Sequence, residues 1–367
     1  MRIAQVTARY HPYIGGVETV VRQYATHMLR NGHDVEVLTL DQDGSLLEEE
    51  NVDGVRIKRF REDSPLRSSR KLASYLRKEA HRFDIIHAHS LHTLIPYLTL
   101  RSIERSENRG LVVMGHYSGK GSTFISNQLL TLYRHLIKKY WLSVDAAICV
   151  SHFEATMLKR HFRVPGEKVV VIANGVELDQ IRSSTSFPGQ GKRILIASRI
   201  EKYKNIQLAV EAMKHLDRDV RLFILGDGPY RSEVEKLIDR YELGDRVRII
   251  GFIPHEEVYR WYKSCDLIIN LSSLECFGLT VLEGLAAGKP VLVNDETSLH
   301  ELARTLPGVR ACRATSLDPA RLAAEIEKAL SLKFDPPDLD AYRWDEITDK
   351  ILSCYKSILD HKILHCL

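Results

Sequence analysis

Cysteine is scarce in this sequence: six in 367 residues (Cys149, Cys265, Cys276, Cys312, Cys354 and Cys366), scattered and with no CxxC pair. That usage argues against a zinc site or a disulfide framework and fits free thiols in a reducing compartment. No apolar run reaches the roughly 18 residues needed to span a bilayer. The N-terminus, MRIAQVTARY, runs straight into a strand-like segment without a signal-peptide pattern. The expectation is a cytoplasmic protein, at most peripheral at the inner face of a membrane. Strong charge of one sign is also missing. The balance of 52 Lys and Arg against 48 Asp and Glu leaves +4, so the total calls for no nucleic-acid partner. The distribution is less even: residues 1–185 carry 26 basic against 20 acidic side chains and the remainder 26 against 28, which makes the first half the basic one. There is no short-period repeat and no low-complexity tract.

What is present is ordinary globular composition, 44% hydrophobic and 27% charged, on a chain long enough for two cores. Short apolar runs alternate with longer helical patterns. RIAQVTA, DVEVLTL, GVRIKRF, DIIHAHS, LVVMGH, AAICVS and VVVIANG are the strand candidates of the first half. RILIAS, RLFILGD, RVRIIGF, DLIINLS and PVLVND are those of the second. Between them lie amphipathic stretches such as VETVVRQYATHMLRNG, which Gly32 ends. This alternation predicts α/β architecture with parallel, doubly wound sheets. The pattern restarts after the polar stretch 183–192, so the predicted domains are 1–185 and 186–341, facing a central cleft. The terminal 342–367 reads as one or two amphipathic helices that could, on pattern alone, join either domain.

In an open parallel sheet, ligands bind beyond the carboxyl ends of the strands. Three loops of the second half carry suitable chemistry. After RILIAS come Arg199, Lys202 and Lys204, a fork and two point charges suited to a diphosphate, although such a cluster can equally be a solvated loop. After RLFILGD, Gly226 and Gly228 allow a tight turn and close approach of a ligand. Arg231 stands where a dinucleotide fingerprint needs glycine, which disfavours a nicotinamide or flavin site. The third loop is SSLECFG, followed by the helical LTVLEGLAAG that Gly288 stops. Its helix start, Gly278 to Thr280, is a ready anion site. Glu275 lies in the loop and Glu283 about one turn into the helix. An acid–base pair needs carboxyls roughly 5–10 Å apart, whereas eight helical residues span about 12 Å. Two carboxylates gripping opposite ends of an extended ligand fit that spacing better.

These motifs, in this order and over nearly the whole chain, resemble the family-4 glycosyltransferases of GT-B fold, built of two Rossmann-like domains. Glu275 and Glu283 match the family's Glu-x7-Glu signature, SRIEKYKN its donor-diphosphate segment, GDGP its G-x-G-P turn, and HPYIGGVETVV its glycine-rich loop. The resemblance implies a donor site made of Gly15, Gly16, Arg199, Lys204, Gly226, Phe277, Gly278, Leu279, Thr280 and Glu283. Glu275 would bind donor-sugar hydroxyls, Glu283 the ribose diol, and backbone amides of 277–280 the sugar and phosphates. His116 in MGHYSG matches a histidine kept near the transferred sugar, and with Glu275, Arg199 and Lys204 makes the catalytic set. Base contacts are implied near Gly251 to Pro254. ANGVELD matches the segment before the interdomain linker, and AYRWDEITDKILSCY the closing helix that returns to the first domain. The chain departs from the family after PVLVND, where DETSLHELARTLPG lacks the usual glycine pair.

The implied reaction is transfer of a hexose from a nucleotide sugar, GDP-mannose or a UDP-hexose, with retention of configuration and no metal or other cofactor. No Asp-x-Asp run is followed by a divalent-ion site. The implied acceptor is a glycan or lipid-linked sugar. NQLLTLYRHLIKKYWLSV mixes apolar residues with Arg134, Lys138 and Lys139 and could lie on an anionic membrane or be a core helix with solvated lysines. Two other classes compete: a nucleotide-sugar 2-epimerase on the same scaffold, and a non-catalytic sugar-nucleotide-binding subunit. The epimerases lack this arrangement of SRxxxxK, GDGP and Glu-x7-Glu, and a subunit without catalysis would be expected to lose Glu275, Arg199 or Lys204.

Overall fold

The structure is a computed structural model describing residues 1–13, 15–41, 44–61, 64–103, 108–121, 124–189 and 191–364. Cys366 and the last residues of the expected C-terminal segment lie outside the described residues.

The chain divides into two units, Met1–Gly175 with Trp344–Leu367, and Val176–Arg343. The first crossing therefore falls at Gly175, ten residues before the boundary expected from polarity. The reason is the short helix Leu178–Ser183, which buries Leu178 and Ile181. Its apolar turn belongs to the second unit, and the polar stretch that follows is a surface loop.

The first unit holds an eight-stranded sheet: β1 Arg2–Val6, β2 Asp34–Leu40, β3 Glu49–Val52, β4 Val55–Phe60, β5 Ile85–His89, β6 Gly110–Met114, β7 Ala146–Cys149 and β8 Val169–Val171. Their order is β3-β4-β2-β1-β5-β6-β7-β8, parallel except for β3 against β4. The second holds β9 Arg193–Ala197, β10 Arg221–Leu225, β11 Val247–Gly251, β12 Leu267–Asn270, β13 Val291–Asn294 and β14 Val309–Cys312, all parallel in the order β11-β10-β9-β12-β13-β14. Both follow the doubly wound plan in which the order reverses beside the first strand of the unit. In the first unit that reversal lies between β1 and β5, in the second between β9 and β12.

Central strands such as RIAQV and RILIA read as continuous apolar runs because helices cover both faces. Ile3, Ala4 and Val6, and likewise Ile194 and Leu195, are fully buried. The helix Gly16–Arg30 buries Val20, Val21, Tyr24, Ala25 and Met28 along one stripe. It ends in a Schellman turn, with Gly32 at φ 78° and the His33 and Gly32 amides donating to the Met28 and Leu29 carbonyls. The helix Leu279–Ala286 ends the same way at Gly288, as the sequence predicts.

Two strands escape the sequence reading. β3 precedes a two-residue turn in which Asp53 and Gly54 both take positive φ. This is the Asp-Gly hairpin signal, hidden by the acidic run before it. β14, Val309–Cys312, is a half-buried edge strand with no distinctive pattern. The C-terminal segment is one long helix, Trp344–Leu364, and packs in the first unit on the helix Gly16–Arg30. Gly175 lets it dock, because a Cβ there would stand 2.4 Å from the Trp344 ring.

Candidate active site

In the second unit the sequence-selected residues gather at the carboxyl ends of β9, β10 and β12, around the reversal point. Asn205, buried and at φ 57°, ties two loops together: its Nδ2 donates to the Leu271 carbonyl at 2.8 Å and to Ser273 Oγ at 2.6 Å. The Ser273 amide answers to the Tyr203 carbonyl at 2.8 Å. This brings Lys204 Nζ to 3.0 Å from Glu275 Oε2, with 17% and 18% of the two side chains exposed. Burial opposes the charged lysine, but Glu275 and Tyr203 outweigh it and the pKa is raised. Arg199 instead reaches outward, 58% exposed, and pairs with Glu201 at 2.9 Å. An exposed pair of this kind is weak, so the guanidinium is available to a stronger anion.

Glu275 is also held from the segment after β13, where the sequence departs from the family: Ser298 Oγ donates to its backbone carbonyl at 3.1 Å. Next along the chain, Phe277 turns its ring inward, 4% exposed. Gly278 takes φ 103° as the N-cap of the helix Leu279–Ala286. Among the described residues the amides of Phe277, Gly278, Leu279 and Thr280 make no hydrogen bond, which leaves four consecutive donors at a helix N-terminus. Asn270 Nδ2 donates to Thr280 Oγ1 at 2.8 Å and orients that side chain.

Glu283, in the helix Leu279–Ala286, has a partner of its own. Its Oε2 accepts from the fully buried Tyr262 hydroxyl at 2.6 Å. Burial pushes the Glu283 carboxyl up, with the Tyr262 hydrogen bond acting the other way. Burial and the neighbouring Glu283 push Tyr262 up in turn.

Gly226 and Gly228 have a steric reason within the protein itself. Gly226 lies at φ 122°, and a Cβ there would stand 2.1 Å from the Ser198 carbonyl oxygen; a Cβ on Gly228 would stand 2.4 Å from that of Ile200. These glycines let the turn after β10 lie against the loop that carries Arg199. The Ile200 amide donates across to the Asp227 carbonyl at 3.0 Å. Gly226→Ala is therefore expected to destabilise the protein by about 3 kcal/mol. Urea unfolding at equilibrium checks this, and a near-normal midpoint would show that the loops separate freely.

In the first unit, Gly15 and Gly16 follow β1. Gly15 has extended backbone and caps the helix Gly16–Arg30, where a Cβ would meet Glu18 Oε2 at 2.4 Å; a Cβ on Gly16 would meet nothing within 4 Å. A shift of the Glu18 side chain would relieve the first contact, so neither glycine is demanded by the protein itself. His116, just past β6, is buried at φ 47°, a strained position of the kind found at functional sites. Its Nε2 lies 3.4 Å from His89 Nδ1, and His89 Nε2 lies 2.6 Å from Gln5 Oε1. The sequence reading missed His89 and Gln5. Their signals were a polar residue inside RIAQV and an H-x-H on the period of a strand. It also missed Glu154. Ser151 and Glu154 form the start of a capping box, but the Glu154 carboxylate, wholly buried, accepts from the amides of Val150 and Tyr117.

Among the described residues, no group of three or more His, Cys, Asp or Glu side chains is placed to hold a metal ion. No helix among them is long and apolar enough to cross a membrane.

The folded chain is similar to solved glycosyltransferase structures. It matches sucrose-phosphate synthase from Thermosynechococcus elongatus with a TM-score of 0.81 at 19% identity, covering 98% of this chain and 100% of that one. It matches Anabaena HepE in complex with UDP and glucose with a TM-score of 0.72 at 19% identity, covering 100% and 99%. The fold is accordingly that of the GT-B glycosyltransferases. By sequence, residues 14–180 match the profile of glycosyltransferase family 4 and residues 178–343 that of the glycosyl transferases group 1. The alpha-monoglucosyldiacylglycerol synthase of Streptococcus pneumoniae is 28% identical over 335 residues, spanning 82% of this chain and 73% of that protein. The chain belongs to the family-4, group 1 glycosyltransferases and is a transferase of that kind.

Proposed function

We propose that the protein moves a hexose from a nucleoside diphosphate hexose to a hydroxyl of a glycan or lipid-linked acceptor, with retention of configuration and without a metal. The observation that carries this reading is the Lys204–Glu275 pair beside four unpaired amides at the β9/β12 reversal point. Lys204, Arg199 and the helix N-terminus stabilise the departing diphosphate. Glu275 takes donor-sugar hydroxyls and Glu283 the ribose. The acceptor oxygen bonds to the anomeric carbon on the face from which the diphosphate leaves. The acceptor proton goes to that leaving group. A UDP-hexose is favoured over GDP-mannose as donor because the similar HepE structure holds UDP and glucose.

A lipid acceptor is favoured because the pneumococcal relative is named for a glucosyldiacylglycerol product. The helix Phe124–Ile137 adds support. It buries Leu130, Tyr133 and Ile137, yet exposes Leu129, Leu132 and Leu136 at 64%, 62% and 44%, followed by Leu142 at 76%. No Asp or Glu occurs from Asn108 to Val144, whereas Lys138 and Lys139 lie exposed beside the leucines. Apolar side chains flanked by cations fit an anionic lipid surface.

Mass spectrometry of reactions with UDP-glucose, UDP-galactose, UDP-N-acetylglucosamine and GDP-mannose, each with diacylglycerol in phosphatidylglycerol vesicles or with soluble sugars, tests both halves. Transfer from a UDP-hexose to the vesicle acceptor is expected. Isomerisation of the donor, or binding without turnover, would overturn the reading. Replacing Leu132 and Leu136 by Asp should weaken vesicle co-sedimentation about tenfold or more; unchanged pelleting would remove the lipid surface from the account.

A further inference from the structure

A polar chain runs through the otherwise apolar core beneath His116. In β5 the alternation of a strand puts His87 and His89 on one face, and β1 places Gln5 opposite His87 in register. That face is covered by Met28 of the helix Gly16–Arg30 and Tyr355 of the helix Trp344–Leu364. All five side chains are completely buried, and His116 is 7% exposed. Most such groups satisfy one another, although His87 Nε2 is left without a hydrogen-bond partner. The contacts are Tyr355 Oη to His87 Nδ1 at 2.6 Å, Gln5 Nε2 to Tyr355 Oη at 3.5 Å and to Met28 Sδ at 3.4 Å, His89 Nε2 to Gln5 Oε1 at 2.6 Å, and His89 Nδ1 to His116 Nε2 at 3.4 Å.

Their donor and acceptor roles can be assigned in order. Burial, reinforced by neighbouring imidazoles, lowers the pKa of His89 well below the usual range and brings His87 and His116 to about 3. Each is therefore neutral near pH 7, with one N–H and one bare nitrogen. A thioether sulfur only accepts, so the amide group of Gln5 facing Met28 must be its NH2. Its oxygen then faces His89, which must carry hydrogen on Nε2. His89 Nδ1 is left as an acceptor, so His116 must carry hydrogen on Nε2. His116 Nδ1 is bare, and among the described residues it has no hydrogen-bond partner.

We propose that Gln5 and His89 are positioning residues that hold His116 as the Nε2–H tautomer, so that Nδ1 is offered as a hydrogen-bond acceptor to a sugar hydroxyl. The far end of the chain takes part: Tyr355 accepts from the Gln5 amide and donates to His87, which with Met28 sets the direction in which the whole relay points. His116 in this state accepts an O–H and cannot protonate the leaving group. The consequence for the sugar rests on the proposed function together with the place near the transferred sugar that the family resemblance implies for His116; the tautomer does not.

The test is long-range proton–nitrogen correlation NMR on the full chain labelled with 15N-histidine. The His116 signals are assigned by their loss in His116→Gln. Wild type should show hydrogen on Nε2 and a pyridine-type Nδ1. A hydrogen on Nδ1 would overturn the proposal without any variant. Gln5→Met removes the acceptor for His89 and should shift His116 towards the other tautomer, while kcat falls about tenfold and the donor KM changes less. Gln5→Glu keeps an acceptor oxygen and should restore both. If Gln5→Met leaves the tautomer unchanged, the relay is wrong even if kcat falls. If the tautomer moves and kcat does not, the relay stands and it is the placing of His116 against the sugar that fails.

Discussion

Lys204→Ala should reduce sugar transfer by about 10²–10³-fold, the scale on which single preorganised charges act on a transition state. The lysine is not a loose surface cation. Fewer than one-fifth of its side chain is exposed, Glu275 fixes it at 3.0 Å, and Asn205 fixes the loop that carries it. A diphosphate arriving at this place meets a charge whose position is already set, so little reorganisation remains for the reaction step. Glu275→Gln should cost about as much. It keeps the shape but removes the charge that orients Lys204 and the stronger acceptor for a sugar hydroxyl. The two losses should not add, since the double variant removes one unit twice. UDP affinity by calorimetry should separate the roles, weakening in Lys204→Ala and persisting in Glu275→Gln. Leaving Glu275 without its partner should also lower stability by about 1–3 kcal/mol, so unfolding midpoints are needed alongside turnover. Near-normal transfer in either single variant would remove the pair from the mechanism.

Glu154→Ala should be among the most destabilising single substitutions in the first unit, by about 3 kcal/mol or more. Its carboxylate bridges the loops after β6 and β7 by accepting from the Tyr117 and Val150 amides, so truncation strands two buried donors and opens a cavity. The same residue predicts a pH dependence. Burial raises its carboxyl to about 8, against two backbone hydrogen bonds that favour ionisation. A raised folded-state pKa means that the native chain binds a proton the unfolded chain has released. The contribution is therefore full below about pH 4.5 and is lost as pH climbs to about 8. Glu154→Gln cannot titrate, so the stability of wild type relative to Glu154→Gln should decline across that window. Denaturant unfolding of both at pH 5, 6.5 and 8 measures it; a parallel pair of curves would show that Glu154 stays ionised throughout.

Much of the site proposed for the donor was legible beforehand because its residues lie close together in sequence. Apolar runs buried on both faces announce parallel strands. Gly32, Gly278 and Gly288 announce left-handed backbone at helix ends. Glu275 and Glu283 stand beside a helix start that any reading of LTVLEGLAAG would find. What the reading did not reach lay with neighbours it could not see. Gly226 and Gly228 make room for the loop after β9 and need no ligand to explain them. The unit boundary moved because Leu178 and Ile181 found a core in the second unit, which polarity along the chain does not report.

The sequence by itself therefore determined two doubly wound sheets and the turns and helix start around Glu275 and Glu283, since those features depend on spacings of a few positions. Only the tertiary structure decided what those residues touch. Gln5 and Tyr355 are 350 positions apart yet join one hydrogen-bonded chain, Glu154 spans two loops, and Tyr262 meets Glu283 from another helix. No periodicity encodes such partners. They follow from the strand order, which brings distant segments side by side, and from the cost of leaving a buried polar atom without a complement.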